Sequence, residues 1–378
     1  MIACLCLGFI LATAQPVDWQ PPIAGTVLLS GTFGELRGSH YHAGIDIKPN
    51  VGGPQEILAT ADGYVKEILV RSGSYGNALI LQHKNGFRSL YGHLDRFNPV
   101  FDSLVYAHQH LQEEFEVTIE LDSTQFPVYQ GMPIGIMGNT GYSFGRHLHF
   151  EVRHESGTRY NPLLVIPTLT DNTPPQFRNL KVNYHDDFGR EYQEKNISVR
   201  SLGRGRYDAG TLTLNTFKYS LGVDVVDLHE NTHNRNGIYS LTMYKDSVLV
   251  YQTVFDSLTP QDRLYYKEHI DHITDGQSNA HFHNLRYSSN EITSQLSDVQ
   301  AGIYRPLSFQ TQRFHIEATD YQGNTSVLSF NIRQVDHPTI DYDWMYNYVV
   351  KAGRSTRINL DQFSIIFPDR CFVRDQRL

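Results

Sequence analysis

Short apolar runs alternate with polar positions along most of this chain, and turn residues interrupt them at short intervals. Runs at 57–59, 64–70, 78–82, 88–91, 133–137 and 148–152 have strand length, and glycines separate them. Alternation in pieces this short predicts β-strands, whose side chains point by turns to two faces. The stretch 97–130 breaks that rhythm. Leu104, Tyr106, Leu111 and Phe115 fit a short helix there, followed by a strand through 117–121. As an insertion it reads first as packing support for the sheet and second as a wall beside a cleft. Asn161-Pro-Leu closes this first block, and the run ending in Pro174-Pro175 marks a linker over 168–176.

Beyond the linker, strands are expected at 177–184, 217–226, 237–244, 247–254, 314–318 and 327–332, with a polar turn from Asp320 to Asn324 between the last two. Short strands separated by turns point to a β-sandwich. From 255 to 305 the strand signal fades into loops, with one short helix near 260–269. A tail from 335 to 378 holds Trp344 and an apolar run at 363–367, and reads as the start of a further β unit. The fold class is therefore mainly β, in two blocks.

Histidine is the residue with chemistry to offer: there are 18, and His-x-His occurs as His40/His42, His108/His110, His147/His149 and His281/His283. Context separates them. His147 and His149 follow a glycine-rich turn, Gly138 to Gly145, and lead into an apolar strand, so both side chains emerge on one face. His42 and Asp46 are four apart and share a face in a helix or a strand; Gly44 and the alternation through Ile45 and Ile47 favour a strand. His108/His110 and His281/His283 sit in polar stretches and read as exposed histidines. His83 ends an apolar strand and reads as structural. Two imidazoles and a carboxylate, His42, Asp46 and His149, suit zinc, which at catalytic sites takes three protein ligands and leaves a position for water. Such an ion lowers the pKa of water to about 7. His147, standing beside the ligands, is placed to act as a base or as an oxyanion donor. Glu151 shares the face of His149; it could touch a ligand from behind or form a surface ion pair with Arg153, and is assigned no chemistry.

These residues carry a family resemblance. Residues from about 25 to 165 resemble the LytM/lysostaphin-type zinc metallopeptidases, peptidase family M23. His42-Ala-Gly-Ile-Asp46 looks like the first ligand motif of that family, and His147-Leu-His149-Phe-Glu looks like its second. Tyr91-Gly-His93-Leu94 resembles the segment bearing the other catalytic histidine. The resemblance implies one zinc ion on His42, Asp46 and His149, catalysis by His93 and His147, and an antiparallel sheet with the metal in a groove across it. It places a metallopeptidase domain over 23–167, with the insertion at about 97–130. Arg146 departs from the pattern, since a proline is common there in relatives; it adds a cation at the rim. The run 316–324 resembles the last hairpin of bacterial Ig-like domains, which implies an Ig-like sandwich over 177–334.

Composition narrows the setting. With 378 residues the chain has room for two domains, and a net charge of −8 argues against nucleic acid as a general partner. An apolar stretch followed by Ala12-Thr-Ala14 reads as a signal peptide over 1–14, although the usual positively charged flank is missing. Cys4 and Cys6 would leave with it. Cys371 would remain alone, so the mature chain has no intrachain disulfide. No later apolar run is long enough to span a bilayer. The expected function is that of an exported, periplasmic or envelope-associated zinc endopeptidase that cleaves the peptide stems of bacterial peptidoglycan. Its C-terminal domain would meet the substrate or a cell-envelope protein. A catalytically silent, cell-wall-binding or regulatory module on the same fold is the alternative. The chain's end carries no closing signal, consistent with a piece of something longer.

Overall fold

A computed structural model describes residues 17–166, 171–186, 191–229, 234–270, 281–286, 302–307, 310–335, 349–359, 364–372 and 376–377. The expected signal peptide and Trp344 lie outside the described residues, as does part of the expected linker. The chain divides into two compact units, one of residues 1–34 and 42–171, the other of residues 35–41 and 172–378.

The first unit is a sheet built on β1 (Leu28–Gly31), β2 (Ile45–Lys48), β3 (Glu56–Leu58), β4 (Gly63–Val70), β5 (Asn77–Gln82), β6 (Phe87–Phe97), β7 (Val117–Glu120), β8 (Pro127–Val128), β9 (Pro133–Met137), β10 (Leu148–His154) and β11 (Arg159–Tyr160). The main path runs β1-β2-β10-β6-β5-β4-β7, with every pairing antiparallel. On β2 and β10 the apolar residues Ile45, Ile47, Leu148 and Phe150 are all fully buried. They face one way, and the polar residues between them face the other. Phe150 pairs with Tyr91 across β10 and β6, and their rings lie 5.4 Å apart. Burying a side chain of that size stabilises the sheet by about 2–3 kcal/mol, and it fixes the register of the polar face opposite.

The insertion holds the helix α1 (Pro99–Gln112), followed by β7. Asn98 caps it by accepting from the Val100 amide, and Pro99 starts it where no intrahelical N–H is needed. Glu113 ends it in the left-handed region, φ 55°. Phe101 and Val105, one turn apart, are buried, so the helix does serve as packing for the sheet. His110 is exposed as expected and packs on Tyr106, whereas His108 is half-buried and bonds the Leu104 carbonyl one turn back. Among the described residues no helix is long and apolar enough to cross a membrane.

The second unit has two main sheets. β12 (Gln176–His185), β13 (Glu191–Ser198), β16 (Lys218–Val226) and β20 (Phe282–Asn284) form one, in the order β13-β12-β16-β20. The other contains β14 (Arg200–Gly203), β15 (Arg206–Leu214), β17 (Ser240–Lys245), β18 (Val248–Val254), β21 (Gln312–Thr319) and β22 (Thr325–Gln334), ordered β14-β15-β22-β21-β17-β18. Leu180, Val182, Leu221 and Val223 from the first share one core with Leu241, Ile316, Leu328 and Ile332 from the second. The turn at Asp320 forms as expected, with its carboxylate accepting from the amides of Gln322 and Asn324. After the short strand β19 (Ser257–Leu258), helical turns at Pro260–Leu264 and Tyr266–His269 occupy the stretch where a short helix was expected. One expectation fails here. His283 is buried rather than exposed, with Nδ1 2.8 Å from Nε2 of His269. Its polar flanks hid an inward-facing position on β20, where the side chains of Phe282 and Asn284 are buried as well.

Candidate metal centre

One row across three neighbouring strands organises the site. Asp46 on β2 pairs with His149 on β10, and His149 pairs in turn with Gly92 on β6. Laterally paired residues project to the same side of a sheet. His42 joins them by a different route from the one its spacing predicts. The strand begins only at Ile45, and His42 precedes a bend at Gly44 that folds it back over Asp46.

His93 reaches the row through a β-bulge. Leu79 pairs with Tyr91 and Asn77 with Leu94, so Gly92 and His93 together oppose Ala78. His93 adopts φ 62°, a left-handed conformation costly for a residue with a Cβ. Its amide donates to the Tyr75 carbonyl at 2.8 Å, and its Nδ1 donates to the Thr140 carbonyl at 2.7 Å. Thr140 is itself fastened by its hydroxyl, which donates to Leu94 O and accepts from the Asn77 amide. Strain of this kind at a candidate catalytic histidine makes a prediction. His93→Gly should be more stable than His93→Ala by about 0.5–1 kcal/mol, because only glycine tolerates that φ without penalty. Chemical denaturation of the two variants tests it, and equal midpoints would show that the bulge carries no strain.

Hydrogen-bond partners fix where the imidazole protons sit. A carbonyl or carboxylate can only accept, so each histidine nitrogen facing one carries the proton. His42 Nδ1 donates to Thr32 O at 2.8 Å, His147 Nδ1 to Gly145 O at 2.8 Å, and His149 Nε2 to the Glu151 carboxylate at 3.0 Å. The opposite nitrogens, His42 Nε2 and His149 Nδ1, face Asp46 Oδ1 and share protons with it in the metal-free protein; once those protons leave, they present lone pairs. His42 Nε2 and His149 Nδ1 lie 3.1 Å apart, and Asp46 Oδ1 is 3.1 Å from the first and 2.9 Å from the second. Three electron-rich atoms at such separations repel one another unless positive charge, a proton or a metal ion, sits among them. Ligands 2.0–2.1 Å from a tetrahedral zinc would be about 3.3 Å apart, close to this triangle. The donor set fits a zinc ion.

In the metal-free protein a proton supplies that positive charge. Burial alone would depress His149, yet the hydrogen bonds to Asp46 and Glu151 push it up to about 9. Burial would raise Asp46, but the charge of His42 and the hydrogen bonds from His149 and His42 hold it well below the usual carboxylate range. His93 is pushed down to about 4, mainly by burial and secondarily by His147 and His149, so it is neutral at neutral pH. His147 Nε2 stands 3.6 Å from Asp46 Oδ1, and its ring is 4.8 Å from that of His93. At the rim, Arg146 donates to the Val51 carbonyl at 3.0 Å, while Tyr142 and Phe144 are exposed. His83 lies elsewhere, bonded to Asp62 O and Ser89 as a structural histidine.

Residues 40–113 match the family model for Peptidase family M23. The first unit thus contains a Peptidase M23 domain match. The match takes in His42, Asp46 and His93, and the His147-Leu-His149 run lies after it. The chain is 35% identical over 128 residues to the DD-carboxypeptidase/endopeptidase Mpg of Neisseria meningitidis, covering 34% of this chain and 23% of that protein. It is 34% identical over 156 residues to the murein hydrolase activator NlpD of Escherichia coli, covering 41% of this chain and 33% of that one. It thus spans a third or less of these relatives' length. Among solved structures, the catalytic domain of lysostaphin from Staphylococcus simulans is 24% identical, with 36% of this chain and 90% of that chain covered and a TM-score of 0.27.

Within the first unit, sequence reasoning left Glu151 without a role. It is fully buried and bonded to Tyr75, Arg153 and Arg159 besides His149. Burial would raise its pKa, but Arg153 and the hydrogen bond from His149 hold it well below the usual range. The signal available was the pair of arginines, at two and eight residues beyond it on β10 and β11.

Proposed function

We propose that the protein is an exported zinc endopeptidase that hydrolyses peptide cross-links of bacterial peptidoglycan. The observation carrying this reading is the triangle of ligand atoms on His42, Asp46 and His149, with the far nitrogen of each imidazole tied to an acceptor outside it. Those three residues would hold the ion. Zinc there supplies Lewis acidity and makes water a stronger acid at neutral pH. His93 and His147 do the proton work. His93, neutral and anchored through Nδ1 to Thr140 O, keeps Nε2 for accepting a proton from the attacking water. His147, anchored through Nδ1 to Gly145 O, stands opposite and stabilises negative charge on the carbonyl oxygen once it carries a proton on Nε2.

Peptidoglycan as substrate, and export to the periplasm or envelope, rest on the kinship with Mpg and NlpD and on the leader-like N-terminus. The second unit, read as an Ig-like sandwich, would hold the enzyme against its substrate or an envelope protein. A silent regulatory module is the second reading, favoured by the activator name that NlpD carries. The filled ligand set and both flanking histidines weigh against it. Digestion of purified cross-linked peptidoglycan by the zinc-loaded chain decides between them. Mass spectrometry should find peptide-bond fragments that disappear with His149→Ala. A parent protein that binds one zinc and releases no fragments would establish the module instead.

A further inference from the structure

Behind His149 lies a carboxylate with no exposure and four donors. Glu151 Oε1 accepts from His149 Nε2 at 3.0 Å and from the Tyr75 hydroxyl at 2.8 Å; Oε2 accepts from Arg153 Nε at 2.7 Å and Arg159 Nε at 2.9 Å. We infer that Glu151 is the positioning residue for the metal ligand His149, and that Tyr75, Arg153 and Arg159 hold it in place. The inference rests on the zinc reading of the cluster.

Burying a carboxylate is costly unless its oxygens are satisfied. Here each oxygen has two donors, and one of the four is a metal-facing imidazole. That contact settles two things at once. It keeps the His149 proton on Nε2, which leaves the Nδ1 lone pair for the ion. It also breaks the near-equivalence of the two ring orientations, since a flipped ring would turn a carbon toward Glu151. The Tyr75 ring, 5.4 Å from that of His149, closes the other side. Arg153 Nη2 donates to the Tyr75 hydroxyl at 3.0 Å, so Tyr75 is bonded at both ends of its own contact. The two guanidiniums have a distinct task. They hold Oε2 from two sides, which leaves Oε1 aimed at the His149 ring. Carboxylate partners of this kind orient histidine ligands and tune metal affinity.

If Glu151 were only an ion-pair scaffold for the two arginines, its replacement would lower stability and leave zinc ligation as it was. Glu151→Gln keeps the size of the side chain but sets an amide N–H₂ against donors. Chelator competition should show zinc binding about 10–100-fold weaker. Tyr75→Phe removes one donor without removing the ring, and should weaken zinc several-fold. In the zinc-loaded, ¹⁵N-labelled parent, His149 should carry a slowly exchanging proton on Nε2. Exchange there should quicken in Tyr75→Phe. Ligation through Nε2 in the parent would overturn the inference, and so would a folded Glu151→Gln with zinc affinity within about two-fold of the parent. Should Glu151→Gln fail to fold, the parent spectrum and Tyr75→Phe decide alone. A parent that binds no zinc at all overturns the underlying metal reading, a result separate from both.

Discussion

Asp46→Asn should lose zinc almost entirely while leaving the metal-free protein standing. Asp46 Oδ1 is the one anionic atom of the triangle, and it sits at hydrogen-bond distance from both ligand nitrogens. Removing one charged member of a buried set typically costs about 3–5 kcal/mol, so zinc affinity should fall about 1,000-fold. The amide brings N–H donors to the two imidazole lone pairs and can replace some of what the cation offered. Metal-free stability should fall as well, since the Asp46–His149 ion pair goes with the charge, and the amide offsets part of that loss. In the parent, zinc at about 1,000 times its dissociation constant should add about 4 kcal/mol, or a rise of about 8–16 °C in melting temperature for a unit of this size. Calorimetric scans with and without zinc separate the terms. The expected pattern is a large zinc-dependent rise in the parent and almost none in Asp46→Asn. A variant that keeps the rise would mean that the ion is held elsewhere.

How much of this was legible beforehand depends on which physical constraint wrote each residue. His147 and His149 could be read because alternation on a strand sets two imidazoles on one face, and the pairing of His149 with Asp46 keeps that face intact. His42 lies beside Asp46 on a different backbone from the one expected, since the bend at Gly44 does what a strand was to do. His93 could not have been found by periodicity. Its placement comes from a bulge, a long-range mismatch between β5 and β6 that no local pattern announces. Strands β13, β14 and β15 escaped notice for another reason. β13 and β14 are largely polar and solvent-facing, as in Glu191–Ser198, and lie at sheet edges. β15 pairs in parallel with β22, a partner more than a hundred residues away. Hydrophobic pattern reports burial, and residues placed by pairing alone leave little of it.

Gly44→Ala should damage both the fold and the metal centre, and it explains a glycine that the ligand motif carries between His42 and Asp46. Gly44 is buried, and a Cβ there would lie 2.3 Å from the Phe150 carbonyl oxygen and 2.8 Å from Glu151 Cγ. The oxygen belongs to the backbone of β10, so no side chain can swing aside to make room. β2 and β10 must separate or shift. Overpacking in a rigid core costs about 1–3 kcal/mol and occasionally more, and the upper end is expected here because the obstacle is main chain. The displacement falls between Asp46 and His149, whose donor atoms are now 2.9 Å apart, so zinc affinity should drop along with stability. Gly53→Ala is the matched control: nothing lies within 4 Å of its added carbon, and its effect should stay within about 0.5 kcal/mol. Denaturation midpoints and zinc titrations of the two variants give the comparison. Were Gly44→Ala to match Gly53→Ala in both, close approach of β10 would not be the reason for glycine at this position, and the bend that delivers His42 would need another cause.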